Sequence, residues 1–259
     1  MSWPPSIWQR CWTETRWRFL IGLLIVFCSS ASVVLTWPRI AGLLPVATAI
    51  GGEGEIGRRI REAVEVQRTY SGFIWSQAFA QNLTNITTLF AILLGAGGLL
   101  SASSGSALFT LSMPVTRGQI TWTRAATGLG ELLILAFAGS FAISIFSPAV
   151  NEGFAFTVAL GHAVCLWAAC AVFFALSSLL STIFTDFWRP LVVAVVAALA
   201  LGGLELASRG LGGYGLFYLM SGEGWFRKAE FPWLAIPVSL TVTAVLLWLA
   251  ARNTEQHDF

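Results

Sequence analysis

An all-α, polytopic membrane protein is the fold class predicted, and three observations predict it. The chain is 56% hydrophobic and 11% charged over 259 residues, well below the roughly 25% charged residues of a soluble domain. Mean hydropathy is +0.74. Six apolar segments, each about as long as a bilayer core is thick, follow one another with no room between them for a soluble domain. Backbone groups in lipid need internal partners, so runs of this length without strand alternation predict helices.

The first segment is Phe19–Trp37; at about 1.5 Å rise per residue it covers roughly 28 Å, close to the ~30 Å hydrocarbon core. It runs on past the length of a signal-peptide core, so it reads as a retained span. The others are Phe79–Leu100, Ala125–Phe146, Phe156–Phe184, Phe187–Leu206 and Trp233–Ala251. The whole of 1–259 is predicted to be one transmembrane domain.

Residues 1–18 precede the first span. Trp8 and Trp12 are i,i+4 with Ile7 and Cys11 beside them, while Arg10, Glu14 and Arg18 take other faces. Pro4 and Pro5 suit a helix start. The pattern predicts a short interfacial helix with Trp at headgroup depth, or an aromatic anchor for the first span. Residues 38–72 read as an outer loop in which Ile56, Ile60 and Val64 recur at helical spacing among mixed charges. A second outer loop is expected over 207–232.

Arg10, Arg16 and Arg18 flank the first span on one side and Arg39 on the other. That bias puts the N-terminus inside, and six spans return the C-terminus to the same side. The net charge of +2 gives no reason to expect a nucleic-acid partner.

The break at 101–124, SASSGSALFTLSMPVTRGQITWTR, differs from a plain linker. Leu108, Phe109, Leu111 and Met113 form an apolar cluster. Pro114 ends any helix there, and Arg117 follows. At a membrane surface such an element suits a groove on a partner; burial in the lipid interface is the plainer reading.

Candidate chemistry is sparse. No Walker A, H-E-x-x-H or G-x-S-x-G pattern occurs, and the single lysine, Lys228, follows Arg227. The four cysteines, Cys11, Cys28, Cys165 and Cys170, form no disulfide framework or C-x-x-C site. His162 and Cys165 share a helix face, but two ligands are fewer than a metal site needs. Glu131 is the one acid well inside a span. It reads either as part of a substrate path or gating hydrogen bond, or as a structural pair with a neighbouring helix or with Arg124. Gly95, Gly97 and Gly98 end the second span and permit close packing, within the chain or at a dimer seam. Asn82 and Asn85 match the glycosylation pattern but lie within the second segment, so they are read as helix polar groups.

These residues resemble a known family. Gly95-Ala-Gly-Gly-Leu-Leu-Ser, then Gly105 to Arg117 with Phe109–Ser112, Pro114 and Val115, then Arg124, Gly128 and Glu131, are similar to the type-2 permeases of ATP-binding-cassette (ABC) transporters. The N-terminus with Glu14 and Arg16 looks like that family's elbow helix. Phe231-Pro-Trp and the closing Ala250-Ala-Arg-Asn-Thr-Glu-Gln-His-Asp-Phe also fit, so the likeness covers nearly the whole chain. One departure stands out: the family commonly places an acid near Ala102 or Ser103, and none is present here.

The resemblance implies a permease homodimer of six-helix subunits in a bacterial plasma membrane, both termini cytoplasmic. Two separate ATPase subunits, holding ATP and Mg, would dock on a coupling helix near Ser106–Met113. Leu108, Phe109, Leu111, Pro114 and Arg117 would make that contact, and no cofactor would bind this chain. Export is the transport direction it implies. The competing readings are a membrane enzyme acting on lipid through Glu131 or His162, and a membrane anchor or assembly factor.

Overall fold

A computed structural model describes residues 5–49, 64–97, 117–184, 186–208, 215–228 and 230–256. Within these residues every regular element is a helix, and six helices are long and apolar enough to cross a membrane. The chain is a multi-spanning, all-α membrane protein.

Helix α1 (Pro5–Ala49) is a single helix of 45 residues. From Pro5 onward the stretch expected as an interfacial helix is continuous with the spanning helix, with no break between them. The reason lies in the sequence, because no proline interrupts Ser6–Trp37 and a corner would need a breaker. Local hydroxyls fold back onto the helix, as in Thr13 Oγ1 to the Gln9 carbonyl at 2.7 Å. The same helix runs through Pro38 to Ala49, so the first part of the 38–72 loop is helical as well.

Helix α2 (Tyr70–Gly95) starts nine positions earlier than its apolar run suggested. Ser76, Gln77, Gln81 and Asn82 interrupt that run and hide its beginning. Its middle, Trp75–Leu83, winds as a π-helix. Wide turns of this kind accompany irregular hydrogen bonding, and Thr84 Oγ1 donates to the Phe79 carbonyl five residues back at 2.7 Å.

Helix α3 (Arg117–Phe146) ends in a 3-10 turn, Ser147–Val150. Helix α4 (Phe156–Ile183) is the centre of the bundle and meets α2, α3 and the later helices. Helix α5 (Trp188–Ala207) is followed by two short helices, α6 (Leu216–Ser221) and α7 (Glu223–Lys228). Helix α8 (Ala235–Gln256) closes the chain.

The 207–232 stretch is therefore more than a surface loop. Leu219, Met220 and Ser221 are buried, and Trp75 Nε1 donates to the Ser221 carbonyl at 2.9 Å. Glu205, near the end of α5, accepts from the amides of Leu216 at 2.5 Å, Phe217 at 3.0 Å and Tyr218 at 3.2 Å. The first amides of a helix have no intrahelical partner, and here a carboxylate from the preceding span supplies one.

Burial separates the helices. In α4, 67% of the apolar window is buried, against 17% in α5, so α4 is core and α5 faces outward. Small residues make α4's position possible: Gly161, Ala163, Cys165, Ala168, Ala169, Cys170, Ala171, Ala175 and Ser177 are all buried, and small side chains let backbones approach closely. Gly95 meets α4 in this way. A Cβ there would lie 2.5 Å from the Phe174 carbonyl oxygen, and Ser177 Oγ donates to the Ile92 carbonyl at 2.8 Å beside it.

Candidate functional site

One end of the bundle collects the start of α1, the end of α2, the start of α3 and the ends of α4 and α8. Asn253 of α8 donates to Thr182 Oγ1 of α4 at 2.9 Å there. The other end holds the close of α1, where Trp37 Nε1 donates to Glu152 at 3.2 Å and Tyr70 OH meets Ser147 Oγ at 2.5 Å. An even number of spans thus puts the start of α1 and the end of α8 at one end.

The first end carries a polar cluster. On α1, Glu14 and Arg18 are i,i+4, and Thr15 lies beside them. On α3, Arg124 and Glu131 are seven residues apart, two turns on one face. The two faces meet, since α1 and α3 pack along their length. Arg124 pairs with Glu14 at 3.4 Å, which corrects the option of an Arg124–Glu131 pair. Glu131, 2% exposed, instead meets Thr15 Oγ1 of the neighbouring helix. Its second oxygen, Oε2, has no hydrogen-bond partner among the described residues. Arg18 donates to the Leu93 carbonyl of α2 at 3.4 Å and stands 4.7 Å over the Phe187 ring.

Gly97 lies against this cluster. A Cβ there would be 2.8 Å from Arg124 Nη2 and 3.2 Å from Arg18 Nη1, so both guanidinium groups reach the end of α2. Across the intervening stretch, Gly118 sits against Glu255 of α8, where a Cβ would be 2.6 Å from Oε1. Leu108, Phe109, Leu111, Pro114 and Gly98 lie outside the described residues. Arg117 is the first residue of α3. Gly95 and Gly97 both serve packing within the chain, which is one of the two roles expected of them.

His162 stands at the other end in an aromatic enclosure. Phe79 stacks on it at 4.1 Å and Trp225 lies 5.1 Å away. Gly222, with φ of 62°, lies against Nδ1, which has no hydrogen-bond partner among the described residues. Gly161 leaves the space that the Trp225 ring takes. The contacts of Glu131 and those of His162 share no residue, so the structure does not assemble the two into one catalytic constellation. Among the described residues no group of three or more His, Cys, Asp or Glu is placed to hold a metal.

Sequence reasoning missed Thr15 and Glu205. Both are ordinary polar residues on apolar helices, and only the packing of α1 on α3 and the return of α6 give them partners. Comparison with known protein families, with curated proteins and with solved structures returns no match for this chain.

Proposed function

We propose that this chain is the membrane-spanning permease subunit of an ATP-binding-cassette transporter, an exporter powered by a separate ATPase. The ATPase docks on the 101–124 segment through Leu108, Phe109, Leu111, Pro114 and Arg117. ATP and Mg are held by that partner, the permease acts as a homodimer in a bacterial plasma membrane, and both termini are cytoplasmic.

The observation that carries this reading is how the two ends of the segment are seated. Gly97 abuts Arg18 of α1 and Arg124 of α3, and Gly118 abuts Glu255 of α8. The residues between them are thus flanked by side chains of three spanning helices, α1, α3 and α8. A chain with no nucleotide-binding pattern of its own has use for a partner docked there.

Co-expression with candidate ATPase subunits tests it. The wild-type chain is expected to co-purify with one and to support ATP hydrolysis. Phe109→Asp and Leu111→Asp are expected to lower that association tenfold or more while the membrane domain stays folded by gel filtration. Undiminished association in a folded variant would reject the docking segment.

A further inference from the structure

Glu131 is buried in the interior between α1 and α3, yet its surroundings are those of a neutral acid. An ionised carboxylate only accepts hydrogen bonds and has about four lone-pair sites to satisfy. Here Oε1 meets Thr15 Oγ1, and Oε2 meets no donor among the described residues. Neither arginine of the cluster is paired with it. Arg124 is taken by Glu14, and Arg18 turns to the Leu93 carbonyl and the Phe187 ring. A buried charge left with one donor is strongly disfavoured, whereas a bare neutral carbonyl oxygen costs far less.

The contacts of Thr15 accommodate a proton on the acid. A hydroxyl has one proton to give. Thr15 Oγ1 lies 3.1 Å from the Cys11 carbonyl, which can only accept, and it also touches Glu131 Oε1. With the Thr15 proton on Cys11, the second contact is made by a proton on the acid. One added proton satisfies both contacts and removes the buried charge.

We propose that Glu131 is a proton-holding site whose occupancy decides which helix Arg18 is tied to. With the proton bound, Oε1–H donates to Thr15 Oγ1, and Thr15 donates to Cys11. When the proton leaves to water, the O–H bond breaks and its electron pair stays on Oε1. Thr15 then turns its own proton from Cys11 to the carboxylate. The new negative charge draws Arg18 from the Leu93 carbonyl, so Arg18 passes from α2 to α3 beside Gly97.

Arg18 is the cation of α1 in this cluster, held by the Leu93 carbonyl and the Phe187 ring. Of the elements packed on α3, α1 presents Glu14 and Arg18, and α2 has no titratable side chain from Thr84 to Gly97. Helix α4 has His162, Cys165 and Cys170, while α8 has Arg252 and Glu255, the latter against Gly118. On α3 itself Arg124 is already paired. The proposal is independent of the transporter reading and is tested without an ATPase.

Infrared spectroscopy of the full chain in lipid nanodiscs is the experiment. At neutral pH a protonated-carboxyl band is expected that shifts with 13C-labelled glutamate and is lost in Glu131→Gln. Thr15→Val should move the band to higher frequency by removing its hydrogen-bond partner. Arg18→Gln should raise proton affinity about tenfold, moving loss of the band up by about one pH unit. No such band, or one that survives Glu131→Gln, overturns the bound proton. An unmoved band in Thr15→Val overturns the hydroxyl relay, and an unchanged titration in Arg18→Gln overturns the switching of Arg18. If Glu131→Gln does not fold, Glu131→Asp takes its place: loss of the 13C-glutamate shift from the band supports the site, and a band that keeps that shift overturns it.

Discussion

Replacing Gly95 with alanine puts one methyl group between two helix backbones. The new Cβ would lie 2.5 Å from the Phe174 carbonyl oxygen, 2.9 Å from Ser177 Cβ and 3.1 Å from the Ser178 nitrogen. Two of these atoms are backbone, so no rotamer change relieves the clash and α4 must move away from α2. A shift of about 1 Å restores ordinary contact and breaks the Ser177–Ile92 hydrogen bond, now 2.8 Å. Overpacking costs about 1–3 kcal/mol and the lost bond about 1 kcal/mol. The better helix propensity of alanine returns about 1 kcal/mol. The net expectation is a loss of about 2 kcal/mol, roughly thirtyfold in the unfolding equilibrium. Denaturant titration in mixed micelles, followed by the fluorescence of the twelve tryptophans, measures it. Gly130→Ala is the control, because none of the described residues lies within 4 Å of a Cβ there. A Gly95→Ala protein as stable as Gly130→Ala would refute the close α2–α4 contact.

Other expectations can be measured on the same preparation. His162→Phe should keep the stack on Phe79 and lose less than about 1.5 kcal/mol. His162→Ala should lose about 2–3 kcal/mol by opening a cavity, and equal stability of the two would remove the enclosure as a packing feature. Gly222→Ala forces a side chain into left-handed backbone at a cost of about 1 kcal/mol and drives its Cβ to 2.5 Å from His162 Nδ1. Faster proteolysis between α6 and α7 is the expected readout. Glu205→Gln keeps the size of the side chain but weakens the charge-assisted bonds to Leu216, Phe217 and Tyr218. Hydrogen exchange at those three amides should quicken about tenfold or more, with α4 amides unchanged.

The spans were readable from composition because lipid demands long apolar helices, and each of the six appears in its expected place. Boundaries were read less well where polar residues fall inside a span. Ser76, Gln77, Gln81 and Asn82 disguised the first turns of α2, and α1 passes Pro38 without ending. Glu131 was visible as a lone acid in an apolar run, and one of its two structural options, a neighbouring-helix partner, is what the fold provides. That the partner is Thr15, 116 positions away, depends on how α1 lies along α3, which no local pattern encodes. Glu205 was unremarkable for the same reason: its role exists only once α6 returns to the end of α5. The two close-packed glycines, Gly95 and Gly97, were identified by type, but their neighbours on α4, α1 and α3 could only come from the packed bundle.

A central helix lined with glycine, alanine, serine and cysteine gives this bundle a one-sided tolerance. Such side chains have little left to lose, so shortening them opens almost no void. Nearly every accessible substitution makes them larger, and each enlargement wedges α4 away from the helices around it. Helix α5, turned outward over most of its length, has the opposite disposition and accepts any apolar shape that lipid or a partner will cover. A scan that places leucine in turn along both helices should therefore divide them sharply, with α4 intolerant from Gly161 to Ser177 and α5 largely indifferent.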